Sequence, residues 1–102
     1  MNIQQIRSAT LRITLGNTTF LIDPWLADKG AAGSFRDRGG NQPLTASQAA
    51  TAMPMKPLPC PRSAILSHVD ACIITHLHPD HIDMDMARHT VGAPLPRHLP
   101  VF

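Results

Sequence analysis

Cysteine is scarce in this chain: Cys60 and Cys72 are the only two. That excludes a disulfide framework and points to a reduced, cytoplasmic setting. Long apolar runs are lacking as well. No stretch approaches the roughly 20 apolar residues that span a bilayer. The opening Met1-Asn2-Ile3-Gln4-Gln5-Ile6-Arg7 has no apolar core of the kind a secretory signal needs. Nor is there an excess of one charge. Nine Lys and Arg stand against seven Asp and Glu, for a net charge of +2, and the basic residues are scattered. Without a dense basic stripe, nucleic acid is not the expected partner. A length of 102 residues suits one domain or a piece of one.

What is present begins with β structure. Leu11, Ile13 and Leu15 alternate with Thr10, Arg12 and Thr14, the period of a half-buried strand. Gly16-Asn17 is a two-residue turn signal, and Thr18 to Ile22 is a second strand rich in β-branched and aromatic residues. Asp23-Pro24 ends it, because proline cannot donate to a sheet ladder. Residues 1–26 therefore form a hairpin region.

Across 27–61 the periodicity dissolves. Gly39-Gly40, Pro43, Pro54, Pro57, Pro59 and Pro61 punctuate the stretch, and a loop this long inside a compact domain is uncommon. Thr45 to Ala52 has the composition of a short helix or of a mobile segment.

Order returns in 62–102. Arg62 to Ser67 reads as a short helix behind Pro61, whose missing N–H costs nothing at a helix start. Ala71-Cys72-Ile73-Ile74-Thr75 reads as a strand buried on both faces. Asp83 to Arg88 suggests a helical turn, and Leu99 to Phe102 the beginning of another strand.

The chemistry lies directly after the apolar strand, in His76-Leu77-His78-Pro79-Asp80-His81. A lone loop histidine is usually just solvated. Three histidines and an aspartate within six residues at a strand end are a different matter, since the strand fixes their geometry. His76 and His78 are two apart, so an extended backbone sends both side chains to one side. Asp80 and His81 follow the turn at Pro79 and can face a neighbouring position. Imidazole and carboxylate together suit zinc, manganese or iron.

The segment Thr75-His76-Leu77-His78-Pro79-Asp80-His81 resembles the signature of the metallo-β-lactamase superfamily. Thr10 to Thr14 and Phe20-Leu21-Ile22-Asp23-Pro24 resemble the opening hairpin of its lactonase-like branch, related to ascorbate-6-phosphate lactonase. The resemblance covers residues 3–26 and 64–83. It implies an α+β fold, the N-terminal half of an αββα sandwich, and two divalent metal ions, zinc first, with manganese or iron as alternatives. It assigns His76 and His78 to one metal and Asp80 and His81 to the other. Asp80 would also steer protons. Asp23 would support a ligand histidine from behind, the competing reading being a plain turn residue before proline.

The activity implied is hydrolysis of an ester or lactone, amide or phosphoester of a small molecule by a hydroxide held on the metals. The family pattern also needs a histidine, a bridging aspartate and a final histidine further downstream. His89 and His98 lie too close to the motif to serve and, like His68, read as ordinary loop histidines. The expectation is therefore a truncated domain, 1–102, with its sheet partly uncovered and inclined to self-association. The alternative is a truncated, non-catalytic metal-binding or interaction protein. Cys72 reads as a small core residue, Cys60 as an exposed thiol, and Trp25 as a packing anchor. The resemblance to the lactonase-like branch implies that the loop of Trp25 lies near the site entrance, with a substrate contact as the alternative. Met53, Met55, Met84 and Met86 read as packing or exposed residues rather than soft-metal ligands.

Overall fold

The computed structural model describes residues 1–31, 33–34, 47, 50–77, 81–85, 90–92 and 94–102. The chain divides into two units, Met1–Leu26 with Pro59–Phe102, and Ala27–Leu58.

The first unit is built on a four-stranded sheet, in the order β1 (Asn2–Arg7), β2 (Thr10–Leu15), β3 (Thr18–Ile22) and β6 (Ala71–Ile73). The expected hairpin is there. β2 and β3 pair antiparallel from Leu11↔Ile22 to Leu15↔Thr18, closed by Gly16 at a φ of 58°, a conformation glycine adopts without strain. β6 lies parallel beside β3, with Phe20↔Ala71 and Ile22↔Ile73 in register. Its outer side meets the C-terminus. Cys72 N–H donates to Pro100 O at 2.8 Å and Phe102 N–H to Cys72 O at 2.9 Å, a single parallel bridge, Cys72↔Val101, where a strand over Leu99 to Phe102 was expected to begin.

β1 was not foreseen. Asn2 to Arg7 has no period-2 alternation, and its first four residues are exposed. Pairing with β2, from Asn2↔Thr14 to Arg7↔Thr10, makes it a strand.

The two faces of the sheet differ. Leu21 and Cys72 are fully buried on one. Arg12 on that face donates through Nη1 to the carbonyls of Ala64 and Ile65, at 3.1 and 3.0 Å, which draws helix α1 (Arg62–Leu66) over it. Ile65 is the buried residue of α1, and Pro61 stands just before the helix, where proline was expected. The opposite face carries Ile3, Ile13 and Phe20 in one row across the strands, and Leu11, Ile22 and Ile73 in the next. Several of these are open to solvent: Ile3 is 55% exposed, Leu15 47% and Ile73 36%. The alternation in β2 is therefore real, but Thr10 is its fully buried residue and Leu15 an exposed one.

Four expectations need correction. The apolar strand ends at Ile73 rather than Thr75, and Ile73 is exposed, so it is not buried on both faces. Met84–Asp85 is not a helical turn but strand β7, paired antiparallel with β8 (Thr90–Val91), because cross-strand bonds outweigh a weak local helix preference. Residues 86–88 of that expected turn, with Met86, lie outside the described residues, as does His89. Cys60 is half-buried rather than exposed.

The fourth correction falls in the second unit. There β4 (Gly33–Ser34) and β5 (Ala52–Met53) pair antiparallel, so Ala52 belongs to a strand and not to the expected helix. Ser47 and Ala50 are helical, and Thr51 Oγ1 donates to Ser47 O at 2.7 Å. Thr45, Ala46, Gln48 and Ala49 lie outside the described residues, as do Gly39, Gly40 and Pro43.

Candidate metal centre

The parallel pairing of β3 and β6 brings two chain segments, far apart in sequence, out of the sheet at the same end. Asp23 N–H donates to Ile73 O at 2.9 Å, extending the ladder one step past the end of β3. At this step Asp23 takes a φ of 45°, a left-handed conformation that aspartate tolerates better than most residues. Its side chain turns towards the residues that follow β6. Oδ1 accepts from Thr75 N–H at 2.7 Å, and Oδ2 accepts from Thr75 Oγ1 at 2.7 Å and meets His81 Nδ1 at 2.8 Å.

Burial alone would raise the Asp23 carboxyl. The Thr75 amide, the His81 ring and the Thr75 hydroxyl together outweigh it and hold the group below its ordinary value of 3.8. Asp23 is thus an anion with donors on both oxygens.

His76 and His81 are brought together. Their ring centroids are 3.8 Å apart at a 50° tilt, and Thr75 Oγ1 lies 3.0 Å from His76 Nδ1. The His81 side chain is 19% exposed and Asp23 only 4%, so the carboxylate is the more deeply buried of the two partners. His78 and Asp80 lie outside the described residues. Among the described residues, no group of three or more His, Cys, Asp or Glu side chains is placed to hold a cation. The donor chemistry nonetheless suits one. With Nδ1 bonded to a carboxylate, a neutral His81 ring carries its lone pair on Nε2, the arrangement typical of a metal-binding imidazole. His68 and His98 are exposed, and His68 has a positive φ of 59°.

The segment that carries Asp23, Asp23–Leu26, is almost wholly buried: Trp25 is 2% exposed and Leu26 not at all. A buried turn must find partners for its backbone, and these come from distant residues. Thr10 Oγ1 donates to Asp23 O at 2.6 Å and accepts from Trp25 N–H at 3.1 Å. Arg7 Nη2 donates to Trp25 O at 2.9 Å, its guanidinium lying 5.3 Å from the Trp25 ring. Leu26 N–H donates to Asp83 Oδ2 at 2.7 Å, and Arg62 Nε to Leu26 O at 2.7 Å. Trp25 is a packing anchor, as expected. Cys72 is core, its thiol pushed up to about 11 by burial.

Sequence reasoning gave no role to Arg7, Thr10, Thr75 or Asp83. Only Thr75 carried a signal, a hydroxyl next to a candidate ligand. The other three act through contacts that no local pattern encodes.

A family model described as a beta-lactamase superfamily domain matches residues 18–101, and the chain belongs to that family. Among its relatives is the UPF0173 protein YddR of Bacillus subtilis (strain 168), 42% identical over 102 residues, covering 100% of this chain and 35% of that protein. The crystal structure of a possible metal-dependent hydrolase from Veillonella parvula DSM 2008 matches with 38% identity and a TM-score of 0.71, over 98% of this chain and 33% of that one. An isothiocyanate hydrolase from Delia radicum gut bacteria matches with 37% identity and a TM-score of 0.69, over 99% of this chain and 33% of that one. The chain spans about a third of the length of these relatives. The expected family and fold class are correct: this is part of a metallo-β-lactamase fold, seen as a mixed sheet with few helices. Among the described residues, no helix is long and apolar enough to cross a membrane.

Proposed function

We propose that this chain supplies the first group of metal ligands of a hydrolase that acts on an ester or lactone, amide or phosphoester bond of a small molecule. His76 and His78 would hold one divalent cation and Asp80 and His81 a second, zinc first, with manganese or iron as alternatives. The observation that carries this reading is the 2.8 Å contact between His81 Nδ1 and the buried Asp23 carboxylate, with the His76 ring 3.8 Å away. A buried anion bonded to one ring nitrogen of an imidazole is what a metal ligand needs and a solvated loop histidine does not.

Divalent cations held there would supply Lewis acidity and lower the pKa of a water molecule. The chain's own part is to orient and to manage protons. Asp23 holds the proton on His81 Nδ1, and Asp80 is assigned the proton-steering role. The two unpaired cysteines support a cytoplasmic setting.

The second reading, a non-catalytic metal-binding or interaction protein, draws on the exposed Ile3, Leu15 and Ile73 of the open sheet face. Metal analysis of the purified chain, paired with a hydrolysis screen of lactones and phosphodiesters, tests both. Metal lost in a His76→Ala/His81→Ala double variant is the expected result. A wild-type chain that binds no zinc, manganese or iron overturns the metal-site reading. Metal binding without turnover favours the second.

A further inference from the structure

The Asp23 carboxylate touches one histidine directly and a second through an intermediary. Oδ2 is 2.8 Å from His81 Nδ1 and 2.7 Å from Thr75 Oγ1, and that hydroxyl is in turn 3.0 Å from His76 Nδ1. Proton counting decides the directions. The carboxylate has no proton to give, so the hydroxyl must donate to it; the reverse would set two lone pairs against each other at 2.7 Å. A hydroxyl has one proton. With that proton committed to Asp23, the contact with His76 requires His76 Nδ1–H to donate to Thr75 Oγ1.

We propose that Thr75 is a positioning residue, whose hydroxyl relays the Asp23 carboxylate to His76 so that one anion sets the tautomer of both rings, with the lone pair on Nε2. The Thr75 backbone is tied down as well, its N–H bonded to Asp23 Oδ1 at 2.7 Å. The γ-methyl narrows the choice of χ1 and keeps the hydroxyl between its two partners. This inference rests on the metal-site reading for its purpose, but not for its hydrogen-bond geometry.

The test uses the whole chain, metal-free and with 15N-labelled histidine, at pH 8, where an ordinary imidazole is neutral. Long-range 15N–1H correlation distinguishes the protonated ring nitrogen from the bare one, and a His76→Gln variant assigns the signals. In the wild-type chain His76 is expected to carry its proton on Nδ1. Thr75→Val removes the hydroxyl at nearly constant shape and should release His76 to a mixture or to the Nε2–H form, while Thr75→Ser keeps the wild-type pattern. Zinc affinity, read by competition with a chromophoric chelator, should fall roughly 10-fold in Thr75→Val, the low end for an outer-shell partner because Thr75 is exposed, and recover in Thr75→Ser. A wild-type His76 protonated on Nε2 overturns the relay, as does a Thr75→Val chain with an unchanged tautomer. Zinc failing to bind a wild-type chain that shows the Nδ1–H signal overturns the metal-site reading and supports the relay.

Discussion

Replacing Asp23 should cost more stability than replacing Thr75, His76 or His81, the residues gathered around its carboxylate. Its carboxylate accepts from Thr75 N–H, Thr75 Oγ1 and His81 Nδ1, all within 2.8 Å. A hydrogen bond to a charged group contributes about 1.5–3 kcal/mol. Thr75 is exposed and His81 partly so, so about 1 kcal/mol for each of the three bonds is the safer figure. Asp23→Ala loses all of them. It also puts alanine at a φ of 45°, which costs roughly 1 kcal/mol more. The sum is about 4 kcal/mol, against a typical stability of about 5–15 kcal/mol for a whole domain.

Asp23→Asn keeps the shape and tolerates the same φ. It turns an NH2 group towards a donor and loses the charge, so about 2 kcal/mol is expected. Urea unfolding followed by far-UV circular dichroism measures both variants against the wild-type chain. The expected order of stability is wild type, Asn, Ala, with the Ala midpoint shifted furthest. Two variants within about 0.5 kcal/mol of wild type, the usual range for surface changes, would refute the reasoning.

Acid should act through the same group. The folded carboxyl lies below 3.8, so its contribution is complete above the unfolded value and is lost as pH falls through the folded one. Unfolding that sets in below about pH 4, and is blunted in Asp23→Asn, is the expected profile. Gly92 has a φ of 68° and donates to Asp83 O at 2.7 Å, and an added Cβ would meet Leu95 Cδ1 at 3.2 Å. Gly92→Ala should therefore destabilise by about 1–2 kcal/mol in urea melts, and an unchanged midpoint would count against this account of the Asp83 turn. Truncating the 2%-exposed Trp25 to Ala should cost about 3–5 kcal/mol through the cavity it leaves, and a folded, wild-type-like melt would show that Trp25 is not an anchor. The open apolar face should make the chain associate with rising concentration in analytical ultracentrifugation. Leu15→Lys, at a position already 47% exposed, should reduce association without unfolding; association unmoved by the change would place the contact elsewhere.

Sequence alone determined what is written in local pattern. The β2–β3 hairpin follows from alternation and a Gly-Asn turn, α1 from Pro61 and the residues behind it, and the candidate ligands from their spacing after an apolar run. It could not supply what depends on partners distant in the chain. β1 lacks a strand's alternation and exists because β2 offers it a ladder. Met84–Asp85 is extended because Thr90–Val91 pairs with it, against a local preference for helix. The apolar stripe of β2 stands on the open side of the sheet, because Arg12 on the other face holds the two α1 carbonyls. Asp23 looked as much like a turn residue as a support for a ligand. Only the parallel register of β3 and β6 carried its carboxylate to Thr75 and to His81, fifty-eight residues away in sequence. A hydrogen bond over that separation leaves no periodicity to read: it is fixed by the sheet, and the sheet by the burial of Leu21, Cys72 and Ile65.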